Sequence, residues 1–182
     1  MVSGGTELKV VYSVGYGGRS LSELLNLLKY YGIEVVVDVR RWNRSLKVPE
    51  FSGNNLESAL KKHNVRYYWL PVLGGYRKFG VDVEDLGMAK CFESEGFRAY
   101  ATYIATKPEV VPFLEKLLEL ASNSTSAILC RERYPWLCHR KILSDYLVIK
   151  GLKVLHIVER DKLVEHKLSK CAVVDGGELR YI

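Results

Sequence analysis

The chain has 182 residues, of which 48% are apolar and 26% are charged, a profile typical of a globular domain with a buried core. No run of about 18 apolar residues is present, which excludes a membrane-spanning helix, and residues 1–8 lack the apolar segment of a secretory signal. We therefore expect one cytoplasmic domain over residues 1–182, with residues 1–8 flexible. The net charge of +6 permits an anionic partner, although a basic surface also serves solubility alone.

The first predicted elements form a strand–helix–strand unit. Lys9–Val14 is rich in β-branched residues and predicts a strand. Ser20 and Glu23 have the spacing of a capping box at the start of a helix, which Gly32 ends. Residues 33–39 are nearly all apolar, which is typical of a strand buried on both faces. Such a unit of about thirty residues predicts two parallel strands.

The same alternation continues along the chain. Asn54 or Asn55 begins the next predicted helix, and residues 71–95 are predicted as a long loop that forms a lid. From Glu159 onward we predict a short helical stretch and no strand. The other predicted elements are a strand at Val65–Leu70, helical residues 96–106, a second helix capped by Thr106 and ending near Ala121, a strand at Ser126–Leu129, a helix at Cys138–Lys150 and a strand at Lys153–Val158.

These elements predict a three-layer α/β/α fold of the Rossmann-like type, with about five mostly parallel strands. In such sheets ligands bind at the carboxyl ends of the strands. The segments that follow the first four strands should therefore meet in space. They are Gly15–Ser20, Asp38–Ser45, Pro71–Tyr76 and Cys130–Arg140.

Glycines follow the first and third predicted strands. Gly15 and Tyr16 begin a glycine-rich turn before a helix, where backbone N–H groups can bind an anion. Gly74 and Gly75 occupy the loop after the third strand. We predict that all four residues contact a ligand. The alternative is a tight turn whose glycines only relieve backbone strain.

A charged pair follows the second predicted strand. Asp38 is expected at the end of a buried strand, where a carboxylate needs a partner, and Arg40 lies on the same strand face. Arg44 follows in a basic loop. We predict Asp38 as a catalytic residue and Arg40 and Arg44 as ligand-binding residues. A structural ion pair beside a solvated loop is the alternative.

The segment Cys130–Arg140 is the richest in reactive side chains. We predict Cys130, Glu132 and His139 as catalytic residues, and Cys138 and Arg140 as ligand-binding residues. A thiol close to cations and to a helix start is more reactive than a free one, and a glutamate can transfer protons. Together with the preceding loops, this segment predicts an anion-binding pocket.

Several alternatives remain for the two cysteines of this segment. Cys130, Cys138 and His139 have the atoms of a metal site, but two ligands adjacent in sequence are awkward and no fourth is evident. From the sequence we therefore assign no metal ligands and no cofactor. A redox disulfide and simply buried thiols also remain open, whereas a phosphatase loop is excluded because position 136 is tryptophan. Cys91 and Cys171 are interpreted as incidental.

The chain resembles the family called domain of unknown function 488 from about Val11 to Leu168. The resemblance implies this fold and this site, without a known reaction. It departs from the family at Tyr16, where histidine is frequent, so a role that needs an imidazole is not carried over. A weaker likeness to rhodanese domains lies in the outline of residues 127–158. The residues that match the family are Gly15, Asp38, Val39, Arg40, Ser45, Pro49, Phe51, Leu73, Gly74, Gly75, Cys130, Glu132, Pro135, Cys138, His139 and Arg140.

Three functions are consistent with these residues. The first is an enzyme acting on a nucleotide, nucleobase or nucleic acid, with arginines on phosphate and Asp38 or Glu132 moving protons. The second is a non-catalytic module that binds nucleic acid or protein. The third is a thiol-dependent sulfur or redox enzyme acting through Cys130. No membrane partner is expected, and the sequence does not predict the oligomeric state.

Overall fold

The computed structural model describes residues 7–182 and contains a six-stranded sheet with the order β3-β2-β4-β1-β5-β6. The first five strands are parallel and β6 runs antiparallel to β5. The prediction of a mostly parallel sheet is therefore confirmed. The strands are β1 (Val10–Gly15), β2 (Val35–Asp38), β3 (Arg66–Trp69), β4 (Ser126–Cys130), β5 (Lys153–Glu159) and β6 (Lys162–Glu165).

Helices cover both faces of this sheet. Leu24 of the first helix and Leu56 of the second pack with Val36 on one face, whereas Leu117 and Leu143 of later helices pack with Val37 on the other. Successive residues of β2 therefore face opposite layers, which explains why the strand is apolar throughout. The predicted three-layer α/β/α fold is confirmed. Within residues 7–182 the α-helices are α1 (Leu21–Tyr30), α2 (Gly53–Lys62), α3 (Glu95–Thr106), α4 (Val111–Asn123) and α5 (Arg140–Ile149).

Only some of the predicted helix caps are found in the structure. Ser20 caps α1, and the capping box with Glu23 is formed in both directions. The prediction that Asn54 or Asn55 caps α2 is wrong, because Ser52 is the N-cap residue. The predicted cap at Thr106 is also wrong. Thr106 ends α3, where its hydroxyl donates to the Thr102 carbonyl oxygen, and α4 begins only after a 3-10 turn.

Residues 71–95 pack onto the sheet rather than forming a free lid. Leu73 and Val83 are buried in the core beside α3. Asp82 accepts hydrogen bonds from Arg77 and Arg41, which fixes the middle of the segment. Its beginning, at Gly75 and Tyr76, and its end, at Ser94, reach the carboxyl ends of the strands.

The prediction for the chain after Glu159 is wrong, since the structure has three strands and no helix there. β6 extends the sheet, and β7 (Ala172–Asp175) pairs with β8 (Glu178–Tyr181) in a hairpin. Gly176 and Gly177 form the two-residue turn with positive φ angles of 58° and 81°, as such hairpins require. The adjacent glycines were the available signal for this hairpin.

Two sets of contacts attach this C-terminal segment to the domain. Cys91 and Cys171 form a disulfide across 80 residues, so their interpretation as incidental is wrong. Asp145 of α5 is fully buried and accepts hydrogen bonds from the Tyr181 hydroxyl (2.8 Å) and from His166 (2.8 Å). The hairpin is therefore fixed to the helix that begins at the Cys130–Arg140 loop.

Residues 1–6 lie outside the described part of the chain, so the predicted flexibility of residues 1–8 is not tested for them. None of the helices in residues 7–182 has both the length and the apolar character needed to cross a bilayer. The predicted single domain over residues 1–182 and the cytoplasmic location stay predictions.

His156 of β5 lies next to His166 and so continues the hydrogen-bonded chain of Tyr181, Asp145 and His166. Its burial predicts that the folded protein loses stability in acid. Its Nε2 lies 3.1 Å from His166 Nδ1, and burial, with His166 nearby, lowers the pKa of His156 from 6.5 to about 3. Below about pH 6.5 the unfolded chain binds a proton that the folded protein refuses, so stability falls as the pH falls toward 3, by up to about 1.4 kcal/mol per pH unit.

We expect the His156→Gln variant to lose less stability than the wild type on moving from about pH 7 to about pH 5, by about 2 kcal/mol. Urea unfolding at the two pH values measures this difference. His63→Gln, which removes an exposed histidine, should behave like the wild type. An unchanged pH dependence in His156→Gln would contradict the assignment.

Candidate functional site

A cavity of about 830 Å³ lies where β1, β2 and β4 end. Residues from all four predicted segments line it, together with the start of α3. Backbone hydrogen bonds join the segments: Tyr16 N–H donates to the Cys130 carbonyl oxygen (3.2 Å) and Gly17 N–H donates to that of Arg131 (2.7 Å). The predicted meeting of these loops at one edge of the sheet is confirmed.

Two of the predicted ligand-binding glycines instead allow protein segments to approach each other. A Cβ atom at Gly15 would lie 1.8 Å from the Glu132 carbonyl oxygen, and one at Gly74 would lie 2.3 Å from the Arg41 Cα. Neither glycine lines the cavity, whereas Gly75 does. A Cβ at Gly75 would lie 2.9 Å from His139 Nδ1, so this glycine gives the imidazole its space.

Asp38 and Arg40 form a buried ion pair at the edge of the cavity, which Arg40 lines. Asp38 is fully buried, and its carboxylate accepts hydrogen bonds from the Arg40 guanidinium at 2.6 Å and from the Tyr67 hydroxyl at 2.6 Å. Arg40 also donates to the carbonyl oxygen of Phe51 (2.8 Å) and to the Tyr16 hydroxyl (3.2 Å). Asp38 does not line the cavity, so its position is that of a support for Arg40.

Burial and charge shift the pKa values in this pair. Burial alone would lower the pKa of Arg40, but the hydrogen bonds and charge of Asp38 outweigh it and raise that pKa. Burial and the Asp38 carboxylate also raise the pKa of Tyr67. Arg40 therefore remains a cation and Tyr67 a donor, which is what a buried carboxylate requires.

Cys130, Cys138 and His139 form a compact cluster on the cavity wall. Cys130 ends β4, Cys138 follows a 3-10 turn, and His139 precedes α5. His139 Nδ1 lies 3.8 Å from the Cys130 sulfur and 3.7 Å from the Cys138 sulfur. All three residues are buried, yet each lines the cavity.

The two thiols differ in acidity. The hydrogen bond to Cys138 and burial raise the pKa of Cys130. Burial would also raise the pKa of Cys138, but the hydrogen bond from Cys130 and nearby positive charge lower it. Cys138, rather than Cys130, which was the predicted catalytic thiol, is thus the sulfur that the surroundings favour as a thiolate.

Arg140 is fully buried and does not line the cavity. Its guanidinium donates to Ser13 Oγ (2.7 Å), to the Cys138 sulfur (3.3 Å) and to the Glu132 carbonyl oxygen. Its position is therefore not that of a ligand-binding residue, and it supports the cluster instead. The Glu132 side chain is half-buried on the cavity wall.

Three exposed cations line the cavity: Arg44, Lys47 and Arg131. Among residues 7–182 none of them forms an ion pair or a side-chain hydrogen bond with the protein. Arg44 was a predicted ligand-binding residue, whereas Arg131 was missed because its position beside Cys130 gives no sign of where its side chain points. These cations give the cavity mouth a positive charge.

Two aromatic side chains are exposed beside these cations. Trp42 is 63% exposed and Tyr76 is 70% exposed, and their ring centroids lie 6.1 Å apart. Tyr76 has a φ of 59°, a left-handed conformation that costs a non-glycine residue about 1–2 kcal/mol. Trp42 was missed, although its place directly after Asp38–Arg41 was the available signal.

Comparison with known proteins now identifies the family. The chain matches the model of the family described as domain of unknown function DUF488 over residues 20–147, which is well over half of its length. The chain belongs to this family. No curated protein and no solved structure matches it significantly, and the weaker likeness to rhodanese domains is not confirmed. Membership supports the predicted fold and carries no reaction with it.

The buried Asp38–Arg40 pair leads to a prediction. Replacing Arg40 by leucine removes the cation and leaves the buried Asp38 carboxylate with hydrogen bonds only from the Tyr67 hydroxyl and the backbone N–H of residue 40, so we expect a loss of about 3–5 kcal/mol in the free energy of unfolding. Denaturant unfolding measures it. The exposed Arg44→Leu change should cost less than about 0.5 kcal/mol. Equal losses in the two variants would show that the ion pair does not support this edge of the sheet.

Proposed function

We propose that this DUF488 protein is an enzyme that binds a nucleotide or nucleobase in the cavity and acts on it with the Cys130–Cys138–His139 cluster and Glu132. The observation that carries the proposal is one cavity with free cations and exposed aromatic rings at its mouth and a reactive cluster on its wall. Each feature alone has a structural explanation. Their combination matches a ligand with a phosphate, a planar ring and a reacting atom.

The size of the cavity supports a small-molecule ligand or a single nucleotide of a larger one. Ligand pockets measure about 300–1,000 Å³, and this cavity measures about 830 Å³. Arg44, Lys47 and Arg131 are free to bind phosphate oxygens. Trp42 and Tyr76 offer exposed rings on which a base can stack.

The cluster on the wall favours an enzyme over a binding module. A ligand-binding surface has no need of two buried thiols and an imidazole that open onto its cavity. Glu132 on the same wall supplies a carboxylate for proton transfer. Asp38, the other predicted acid, is occupied by Arg40 and Tyr67, so the proposal assigns proton transfer to Glu132.

Binding of phosphate and base can be tested separately. Isothermal titration calorimetry should be performed with a nucleoside monophosphate, its nucleoside and ribose 5-phosphate. We expect the monophosphate to bind most tightly, and Arg44→Ala/Lys47→Ala to weaken it about tenfold, with a smaller dependence on salt. Trp42→Leu should weaken the monophosphate and leave ribose 5-phosphate unchanged.

Lys61→Ala/Lys62→Ala is the matched control, because it removes the same charge from the exposed end of α2. If both double variants weaken binding equally, general electrostatic attraction explains the affinity and the cavity does not. Equal affinity for ribose 5-phosphate and the monophosphate would remove the base from the proposal.

Turnover separates the enzyme from the other two functions. Mass spectrometry should detect products when nucleotides, nucleosides and short oligonucleotides are incubated with the wild type. Glu132→Gln should slow product formation at least about a hundredfold while ligand affinity stays within about threefold. Binding without any turnover would favour a binding module, and a covalent adduct on Cys130 or Cys138 would favour a thiol enzyme.

A further inference from the structure

The cluster of Cys130, Cys138 and His139 presents its ligand atoms at the separations of a metal site. The two sulfurs and His139 Nδ1 all lie within 4.8 Å of one another. Tetrahedral zinc, with bonds of about 2.3 Å to sulfur and about 2.0–2.1 Å to nitrogen, places a sulfur about 3.5–3.6 Å from a nitrogen. The observed sulfur–nitrogen separations are 3.8 Å and 3.7 Å, each within about 0.3 Å of that geometry.

A hydrogen bond on the far side of His139 fixes which nitrogen faces the sulfurs. His139 Nε2 lies 2.9 Å from the Val39 carbonyl oxygen, and a carbonyl only accepts, so Nε2 carries the hydrogen. In the neutral form of this imidazole the lone pair is on Nδ1, the nitrogen that lies 3.8 Å and 3.7 Å from the two sulfurs. Histidines that bind metals are oriented in this way by a backbone carbonyl or a carboxylate.

Arg140 makes a comparable contact to the sulfur side of the cluster. Its Nε donates to the Cys138 sulfur at 3.3 Å, and its other groups are occupied by Ser13 and the Glu132 carbonyl oxygen. An N–H donor of this kind stabilises a thiolate ligand and orients it toward an ion. Both sides of the cluster therefore have the outer contacts that support metal ligands.

The backbone removes the objection that Cys138 and His139 are adjacent in sequence. Cys138 is extended (φ −132°, ψ 148°), whereas His139 has helical angles (φ −62°, ψ −15°). This change of direction at the start of α5 allows neighbouring side chains to converge. Cys130, nine residues earlier, completes the set from the end of β4.

We propose that Cys130, Cys138 and His139 bind a zinc ion through two thiolates and Nδ1, with the fourth coordination position facing the cavity. Three protein ligands and one position for water or substrate are typical of catalytic zinc, whereas structural zinc has four protein ligands. A zinc ion there polarises its ligand and activates water. Hydrolysis is therefore the reaction class that this site favours for the proposed enzyme.

Metal content tests the proposal without a substrate. The full chain should be purified under reducing conditions, dialysed against metal-free buffer and measured by inductively coupled plasma mass spectrometry. We expect about one zinc per chain in the wild type and less than about a tenth of that in Cys138→Ser and in His139→Asn. Circular dichroism confirms that each variant is folded.

Matched controls separate this site from the other cysteines and histidines. Cys91→Ser/Cys171→Ser removes two cysteines without touching the cluster, and His63→Asn removes an exposed histidine. Both should retain zinc. Loss of zinc from these controls to the same extent as from Cys138→Ser would overturn the assignment to this cluster.

Cobalt substitution of the wild type keeps the test valid if the variants do not fold. Bound cobalt should give a thiolate-to-metal charge-transfer band and the visible bands of tetrahedral coordination, which added zinc removes. Absence of zinc in the wild type, together with no such bands, would overturn the proposal, as would a Cys130–Cys138 disulfide in the purified protein.

Zinc binding and nucleotide binding can fail independently. Arg44→Ala/Lys47→Ala should retain a full complement of zinc, because neither residue contacts the cluster. If the wild type binds zinc but no nucleotide, the metal site is supported and the proposed ligand class is wrong. If the wild type binds the nucleotide but no zinc, the ligand class is supported and the metal site is wrong.

Discussion

The rest of the site depends on the hydrogen bonds of the buried Arg140 guanidinium. It is fully buried at the first residue of α5 and bonds to Ser13 in β1, to Cys138, and to the backbone of the loop at Glu132. A buried cation needs such partners to offset its desolvation. Because these partners come from a central strand and from the loop that follows β4, the guanidinium holds that loop over the edge of the sheet. His139, the next residue back, is then held within reach of Val39.

The close approach of this loop to β1 explains the glycines at its end. Gly15 has no room for a Cβ, since the Glu132 carbonyl oxygen would lie 1.8 Å away. Glycine-rich turns after a first strand commonly suggest a phosphate ligand. Here the turn receives another segment of the same chain, and Gly17 N–H donates to the Arg131 carbonyl oxygen. The positive charge that could bind a phosphate comes instead from side chains on the loops.

Periodicity predicted the parallel sheet and the edge at which the loops meet, because apolar runs and capping residues are local signals. Ser20 and Glu23 illustrate this, since they form their capping box as predicted. The features that were missed depend on distant partners. β6 is mostly exposed and gains its structure by pairing with β5, and Cys91 finds Cys171 across 80 residues. Within the site, the residue types indicated which loops form the cavity. The role of each side chain, however, depends on the residues that it contacts in the folded protein.

The polar residues at the ends of the strands separate into two groups by whether the protein already satisfies them. Asp38 and Arg40 neutralise each other, and Arg140 is occupied by Ser13 and Cys138, so these residues hold the site together. The second group consists of side chains that can still bind a ligand or an ion. It comprises the cations at the cavity mouth, and the two sulfurs and Nδ1 on the cavity wall. An ion placed between His139 Nδ1 and the two sulfurs gives these buried groups a binding partner. Chemistry in this fold is therefore expected from the second group, whereas Asp38 and Arg140, which the sequence predicted as a catalytic and a ligand-binding residue, belong to the first.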